Sequence, residues 1–439
     1  MNIENYKLLF EANQKELKFP NWLIEKQKMA FEIFSKTGLP TQKDEEWKYT
    51  NISAIDKISF VKSKTNNIQI EEFEKIKIKD FNLIPIINNV VDKNQIKCEN
   101  GIKIYSLAEM LDINYEFVKN YFFQSQISYK DSIASLNTSL LDDVLFIEID
   151  KNIEILKPIH ILNIQTENAN NALNSTRIAF NILENSKVTI FEEFLSLSEN
   201  VYWNNYISEF YISSKSNVEH IKLQNEYVNA FHISNNAFFQ KENSYLNSVN
   251  ISLGGKISRS ESKVFLCDKE TNASLNGLYI SSDKQLIDNH TFIEHKKENC
   301  DSHELFKGIL FDESRSVFNG KIYVHAEAQK TDSKQTNKNL LLSENATIDT
   351  KPQLEIFADD VKCTHGGTVG GLDKLSLFYL ESRGINPQIA KGILTVGFAS
   401  EVTDLIENNL IRQKIDSLIV NKIRKSIGSD EVPEIAHKH

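Results

Sequence analysis

Glu184-Asn185-Ser186, Lys215-Ser216-Asn217, Glu242-Asn243-Ser244, Glu270-Thr271-Asn272 and Glu298-Asn299 are the polar corners that decide how this chain folds. Between and before them run short segments rich in Ile, Val, Phe and Tyr, at 144–149, 153–164, 177–182, 188–194, 218–223 and 263–266. Branched and aromatic side chains suit a pleated surface, and Asn, Ser and Glu clusters bound it, so each segment reads as a strand. The corner asparagines recur at steps of roughly thirty residues, close to the length of one solenoid coil. Proline is scarce here and no long helical period intervenes. Two all-β arrangements fit, an antiparallel sandwich and a parallel β-helix. The repeated corners favour the solenoid, while their uneven spacing keeps both open.

Working outward, both flanks read as helical. Pro20-Asn21 precedes Trp22, Leu23, Met29, Ala30, Ile33 and Phe34, an apolar face at helical spacing. Asn21 is the expected N-cap, and Gly38 with Pro40 the stop. A second helical pattern covers about 106–123, and the Lys/Ile-rich stretch between the two shows no readable period. After the strands, Asp373 caps an expected helix at 375–382 that Gly384 ends, and Asn386-Pro387 opens another. A third helix is expected from Glu401 to about Arg424, carrying Val402, Leu405, Ile406, Leu410, Ile415, Leu418 and Ile419. The polar tail at 426–439 is expected to be mobile. Three regions result: a mainly helical 1–130, a β core at 131–372 and a helical 373–439.

The chain has 439 residues, 41% hydrophobic and 25% charged, with a net charge of −10. That acidity, with no basic stripe interleaved with aromatics, argues against nucleic acid as a partner. Met1-Asn2-Ile3-Glu4-Asn5-Tyr6-Lys7 carries charge at once and lacks the apolar core of a secretory signal. No stretch approaches the ~20 apolar residues that span a bilayer. Cys98, Cys267, Cys300 and Cys363 are dispersed, as in a reducing compartment. A cytoplasmic location is the expectation.

Most catalytic motifs fail. In Gly366-Gly367-Thr368-Val369-Gly370-Gly371, Leu372-Asp373 stands where a P-loop needs Lys-Ser/Thr, and Thr368 where a dinucleotide fold needs glycine, so these read as turn glycines. No nucleophile elbow or HExxH is present. Cys363 and His365 are different: one residue apart on an extended strand, they share a face, and thiolate with imidazole is a donor set for iron or zinc. Cys300 and His303 form a second short pair, and all four together would make a Cys₂His₂ site, unless Cys300 is a buried small hydrophobe and His303 a satisfied polar group. In Asp288-Asn289-His290-Thr291-Phe292-Ile293-Glu294-His295, the two histidines are five apart and should point to opposite faces.

An ordered series of motifs then gives the chain a resemblance. It begins with Asp288-Asn289-His290-Thr291, Glu304-Leu305-Phe306-Lys307-Gly308-Ile309-Leu310 and Val317-Phe318-Asn319-Gly320-Lys321-Ile322. It continues with Ala328-Gln329-Lys330-Thr331-Asp332, Asn337-Lys338-Asn339-Leu340-Leu341-Leu342-Ser343 and Thr350-Lys351-Pro352-Gln353-Leu354-Glu355-Ile356. It closes with Ala358-Asp359-Asp360-Val361-Lys362-Cys363-Thr364-His365-Gly366, Leu377-Phe378-Tyr379-Leu380-Glu381-Ser382-Arg383-Gly384-Ile385 and Gly397-Phe398-Ala399-Ser400-Glu401-Val402. This series resembles the SufB/SufD family. Gly38-Leu39-Pro40-Thr41 and Asp44-Glu45-Glu46-Trp47-Lys48-Tyr49-Thr50 resemble its SufD branch.

The resemblance implies a right-handed parallel β-helix flanked by helical regions, and a place in the SufBCD complex for iron–sulfur cluster assembly. It implies SufB as heterodimer partner and the ATPase SufC docked on the C-terminal segment, and it leaves a homodimer in isolation open. Carried over, that docking surface comprises Phe378, Tyr379, Leu380, Arg383, Gly384 and Ile385, although core packing would also explain the apolar members. The subunit is expected to be non-catalytic, with ATPase activity on SufC. It is expected to hold no tight cofactor alone, only transient iron or an Fe–S cluster with SufB, and a flavin is left open. His365 and Cys363 are the expected interface, metal or sulfur-handling residues. Ser343 stands in the slot of a SufB cysteine, and Gly366 follows His365 where SufB has glutamate, so a SufB-like chain carrying its own cluster is the weaker alternative. A carbohydrate-active β-helix enzyme, which would need acids clustered along one groove, is the alternative from another class.

Overall fold

The computed structural model describes residues 3–16, 19–63, 70–120 and 131–435. The parallel solenoid is the outcome, and the antiparallel sandwich is overturned by strand pairing. One sheet contains β3 (Ile102–Tyr105), β4 (Leu145–Ile149), β6 (Ala172–Ile182), β8 (Tyr202–Ile212), β10 (Phe231–Gln240), β12 (Ile257–Leu266), β14 (Leu286–His295), β16 (Arg315–Val324) and β18 (Thr347–Ile356). The other contains β1 (Asn82–Ile87), β2 (Val90–Val91), β5 (Ile159–Gln165), β7 (Lys187–Ser196), β9 (Asn217–Asn225), β11 (Tyr245–Ser252), β13 (Asn272–Ser281), β15 (Asp301–Leu310), β17 (Asp332–Leu341) and β19 (Lys362–Gly370). From β4 onward every pairing skips one strand and is parallel, so the chain alternates between the sheets and climbs one coil at a time.

The corners work as their composition suggests. Asn185, Lys215, Asn243, Glu270 and Asn299 all have φ between 55° and 61°, the left-handed region that turns the chain sharply. Each donates its backbone N–H to the coil above, for example Asn185 to Ser214 at 3.0 Å and Asn299 to Gln329 at 3.0 Å. Asparagine is the least strained non-glycine residue there. At two corners, however, Lys215 and Glu270 take the left-handed position, and Asn217 and Asn272 begin the next strand. This shift in register is why the asparagine spacing is uneven.

Several expectations need correction. Residues 153–158 are not strand, and β5 starts only at Ile159. Asn21 is the first residue of its helix (Asn21–Thr37), Pro20 holds the cap position without a side-chain bond, and Gly38 ends the helix at φ 73° as expected. The pattern at 106–123 is two short helices, Leu107–Ile113 and Tyr115–Asn120, and its last three residues lie outside those described. The first helix of that pair opens on a capping box between Ser106 and Glu109. The glycines at 366–370 are strand residues of β19 without positive φ, not turn residues.

Number the helices α1 (Ile3–Glu16), α2 (Asn21–Thr37), α3 (Ile70–Ile76), α4 (Leu107–Ile113), α5 (Tyr115–Asn120), α6 (Ser132–Ser139), α7 (Lys374–Ser382), α8 (Pro387–Thr403) and α9 (Asn409–Ile427). Asp373 caps α7 through Ser376 N–H at 2.7 Å, and Asn386 with Pro387 opens α8, both as read from the sequence. The third C-terminal helix does not start at Glu401, which belongs to α8. Asn408 caps α9 instead.

The tube is filled by Ile, Val, Leu and Phe, including a ladder of Phe180, Phe210 and Phe238 with successive ring centroids 4.5 Å apart. Helical layers sheathe its outside. Tyr6, Phe34, Ile52 and Phe60 pack on Trp203, Phe231 and Ile233 of one sheet. Ile411, Ile415, Ile419 and Ile423 of α9 pack on Phe191, Ile221, Val249 and Leu278 of the other. This cover stops before the last coil. That end positions the site.

Candidate functional site

No residue of β18, β19 or α7 is buried. The two strands are the terminal strands of their sheets, so one side of each has backbone groups with no ladder partner, a template for another chain. A gap of three residues separates Gly370, the last of β19, from Lys374, the first of α7.

Cys363 and His365 lie on this terminal coil and share its inward face, as alternation requires. Their register partners one coil below are Ser333 and Gln335 of β17, both buried. Cys363 is half-buried against the interior cluster, whereas His365 is exposed. Burial, and then the charge of Asp332, push the Cys363 thiol above its ordinary value of 9.0, so it is neutral at pH 7 in this chain. A neutral thiol becomes a good ligand or nucleophile only when a cation or metal draws off its proton.

The four-ligand site does not assemble. Cys300 is buried at a corner, where it accepts from Thr271 Oγ1 at 3.1 Å and donates to the Asp268 carbonyl at 3.2 Å. It stands two coils below Cys363, and His303 is exposed on the opposite face of its strand from Glu304. Among the described residues no three His, Cys, Asp or Glu side chains group together to hold a metal. His290 and His295 face opposite ways as expected: His295 bonds Ser302 inside the tube at 2.9 Å, and His290 meets Glu46 outside it at 3.3 Å. Ser343 sits at a corner and accepts the Asp312 N–H at 2.7 Å.

The α7 residues named from the sequence are open to solvent. Phe378 is 68% exposed and Tyr379 59%, next to Leu375 at 78%. Arg383 lies over the Tyr379 ring at 5.2 Å, Gly384 adopts φ 84° past the helix end, and Leu380 and Ile385 are half-buried. Core packing therefore does not account for Phe378 and Tyr379.

Sequence motifs far apart in the chain meet in space. Trp47 stacks on the guanidinium of Arg259 at 4.0 Å, Arg259 pairs with buried Asp288, and Thr50 bonds the same carboxylate at 2.6 Å. The segment 44–50 thus straps the outer face of β12, β14 and β16, and Glu45 reaches Lys351 of the bare coil at 2.6 Å. Buried Lys307 pairs with Glu401 of α8 at 2.7 Å and lies 3.8 Å from the Phe398 ring. Arg259 and Gln335 escaped the sequence reading, because an outward Arg on one strand and an inward Gln on another carry no motif.

The fold and its end surface define the class, a parallel β-solenoid sheathed by helices and left bare at its last coil. Two family profiles match this chain, the SufBD core domain of the SUF iron–sulfur cluster assembly system over residues 164–398 and the SufBD N-terminal region over residues 1–161. The chain belongs to the SufBD family. It is 31% identical to the iron–sulfur cluster assembly protein SufD of Escherichia coli, covering 87% of this chain and 88% of that one. It is 30% identical to a SufBD family protein of Synechocystis, covering 88% and 87%. It is 27% identical to the chloroplastic protein ABCI7 of Arabidopsis thaliana, covering 87% and 82%. Its role is therefore in iron–sulfur cluster assembly. No helix among the described residues is long and apolar enough to cross a membrane.

Proposed function

We propose that this chain is the SufD-type subunit of a SufBCD complex, pairing with SufB through its last coil and docking the ATPase SufC through α7. One observation carries the reading: in a chain sheathed elsewhere, the terminal strands and the following helix have no fully buried residue. Exposed apolar side chains grouped on one short helix mark a partner surface. Open strand edges are matched most simply by a second solenoid of the same pitch. SufD's likeness to SufB would provide one, and in isolation a second copy of this chain would fit the same edge.

Iron and sulfide are cargo in this reading. Cys363 and His365 supply two soft donors, half of a tetrahedral set, and SufB supplies the rest across the interface. This division suits Ser343, whose hydroxyl is a poor ligand for iron and is already engaged. It disfavours the SufB-like reading in which the chain carries a cluster alone. The subunit is non-catalytic, and SufC hydrolyses the nucleotide. Because only residues 371–373 join β19 to α7, a movement of α7 under SufC pulls directly on the strand bearing Cys363 and His365.

Hydrogen exchange on the full chain tests this assignment. SufB should slow exchange over Lys362–Gly370, and SufC should slow it over Lys374–Ser382. Unchanged exchange in both segments, with both partners bound, would refute it.

A further inference from the structure

Glu304 is a buried carboxyl inside the tube with no cation beside it among the described residues, and nothing in the function above uses it. On β15 it alternates with outward Leu305 and shares the inward face with Ser302 and Phe306. Its strand neighbours are Leu275 of β13 and Gln335 of β17. Gln335 Nε2 donates to Glu304 Oε2 at 2.7 Å. Gly320 of β16 makes room for this contact, since a Cβ at that position would overlap Gln335 Nε2 and crowd Thr291 Oγ1. Among the described residues, no charged side chain acts on Glu304. Burial pushes it from its ordinary 4.5 to about 7, against the pull of the neighbouring Thr291 and Gln335 polar groups.

The other end of the Gln335 amide is the informative one. Its Oε1 is buried and has no hydrogen-bond partner among the described residues. The next side chain in register on the same inward face, one coil up, is His365. Coils stack about 4.8 Å apart, which sets His365 directly above Gln335 in the inward ladder. A buried carbonyl oxygen left without a donor costs about 1–3 kcal/mol, which favours a partner that fills it.

Resting on the reading of His365 as a ligand, we propose that Glu304 and Gln335 are positioning residues that set which ring nitrogen of His365 carries its proton. Ionised Glu304 only accepts, so it holds Gln335 Nε2 downward and turns Oε1 up toward the ring. Rotation of the His365 side chain brings its inward ring N–H to that oxygen, a bond not formed in this structure, and the outward nitrogen then keeps the lone pair a metal ion or sulfur intermediate needs. Protonated Glu304 can donate to Oε1, which allows the amide to turn over. The ring then meets an N–H, its inward nitrogen accepts, and the outward nitrogen carries the hydrogen and cannot ligate. Outer groups that fix a ligand's tautomer act this way in metal sites generally.

The experiment reads the His365 ring nitrogens by long-range ¹H–¹⁵N NMR of the full chain at pH 8, with His365→Gln assigning the signal. One hydrogen bond of about 1 kcal/mol sets a tautomer ratio of about fivefold. Glu304→Gln can present an N–H to Gln335 as the protonated acid presents its O–H, so it should turn the preference over and move the wild-type ratio by up to about 25-fold at the same pH. Gln335→Leu removes the relay, and in that background Glu304→Gln should no longer move the ratio. Should Glu304→Gln not fold, lowering the wild type from pH 8 to pH 6.5 should produce the same change among neutral rings. Equal ratios in the wild type and Glu304→Gln, or a shift that persists without Gln335, would overturn the proposal. The readout needs neither SufB nor SufC, so its failure is distinct from failure of the complex.

Discussion

Truncating Phe378 separates docking from folding. Fully burying a phenylalanine is worth roughly 1.5–3 kcal/mol. With 68% of Phe378 exposed, about two-thirds of that stabilisation is left for a partner to supply, or about 1–2 kcal/mol. Phe378→Ala should therefore weaken SufC binding about 5- to 30-fold, because 1.4 kcal/mol is tenfold in affinity. The chain itself loses only the buried third, under ~1 kcal/mol, and its melting temperature should move by no more than about 2 °C. Calorimetric titration of SufC into the wild type and the variant, with a thermal melt of each, measures both numbers. A variant that melts many degrees lower and binds SufC normally would refute the reasoning, since Phe378 would then be a core residue.

Other expectations follow from the same geometry. For Glu304, the folded pKa of about 7 stands above the ordinary 4.5 of an unfolded glutamate, so the folded state holds its proton more tightly and stability falls as pH rises from 4.5 to 7. At 1.36 kcal/mol per pH unit, Glu304→Gln should gain up to about 3 kcal/mol at pH 8 and little at pH 4.5, seen as a melting-temperature difference that opens with pH. Asp288→Ala leaves Arg259 buried without its carboxylate and should cost about 3–5 kcal/mol in urea unfolding, with the strap at 44–50 losing hydrogen-exchange protection. Gly277→Ala pushes a methyl into the Phe306 ring inside the tube and should cost about 1–3 kcal/mol by the same measure.

Much of the architecture was readable because a solenoid repeats its demands. Each coil needs a left-handed corner, and Asn185, Asn243 and Asn299 advertise it, but Lys215 and Glu270 do the same work without the signature residue. Strand lengths were harder to read because the tube accepts polar side chains. Ser258, Ser260 and Ser262 face inward on β12, so the apolar pattern shows only its last four residues, at 263–266. Asn21 read as a cap because it precedes an apolar face, yet Pro20 already fixes the extended backbone that a cap requires. At the site, the shared face of Cys363 and His365 followed from strand alternation alone. The exposure of Phe378 did not, since an apolar helix residue reads alike whether it faces a core or a partner. Gln335 beneath His365 was invisible in one dimension, because a separation of 30 positions closes a single coil.

The most direct test of the central claim is to purify this chain anaerobically alone, and with SufB and SufC, and to measure iron and sulfide in each preparation. The account predicts a stable three-component complex that gains both elements, a chain alone that gains neither, and a His365→Ala complex that assembles but takes up less iron. A cluster on the isolated chain, or failure to associate with either partner, would contradict it.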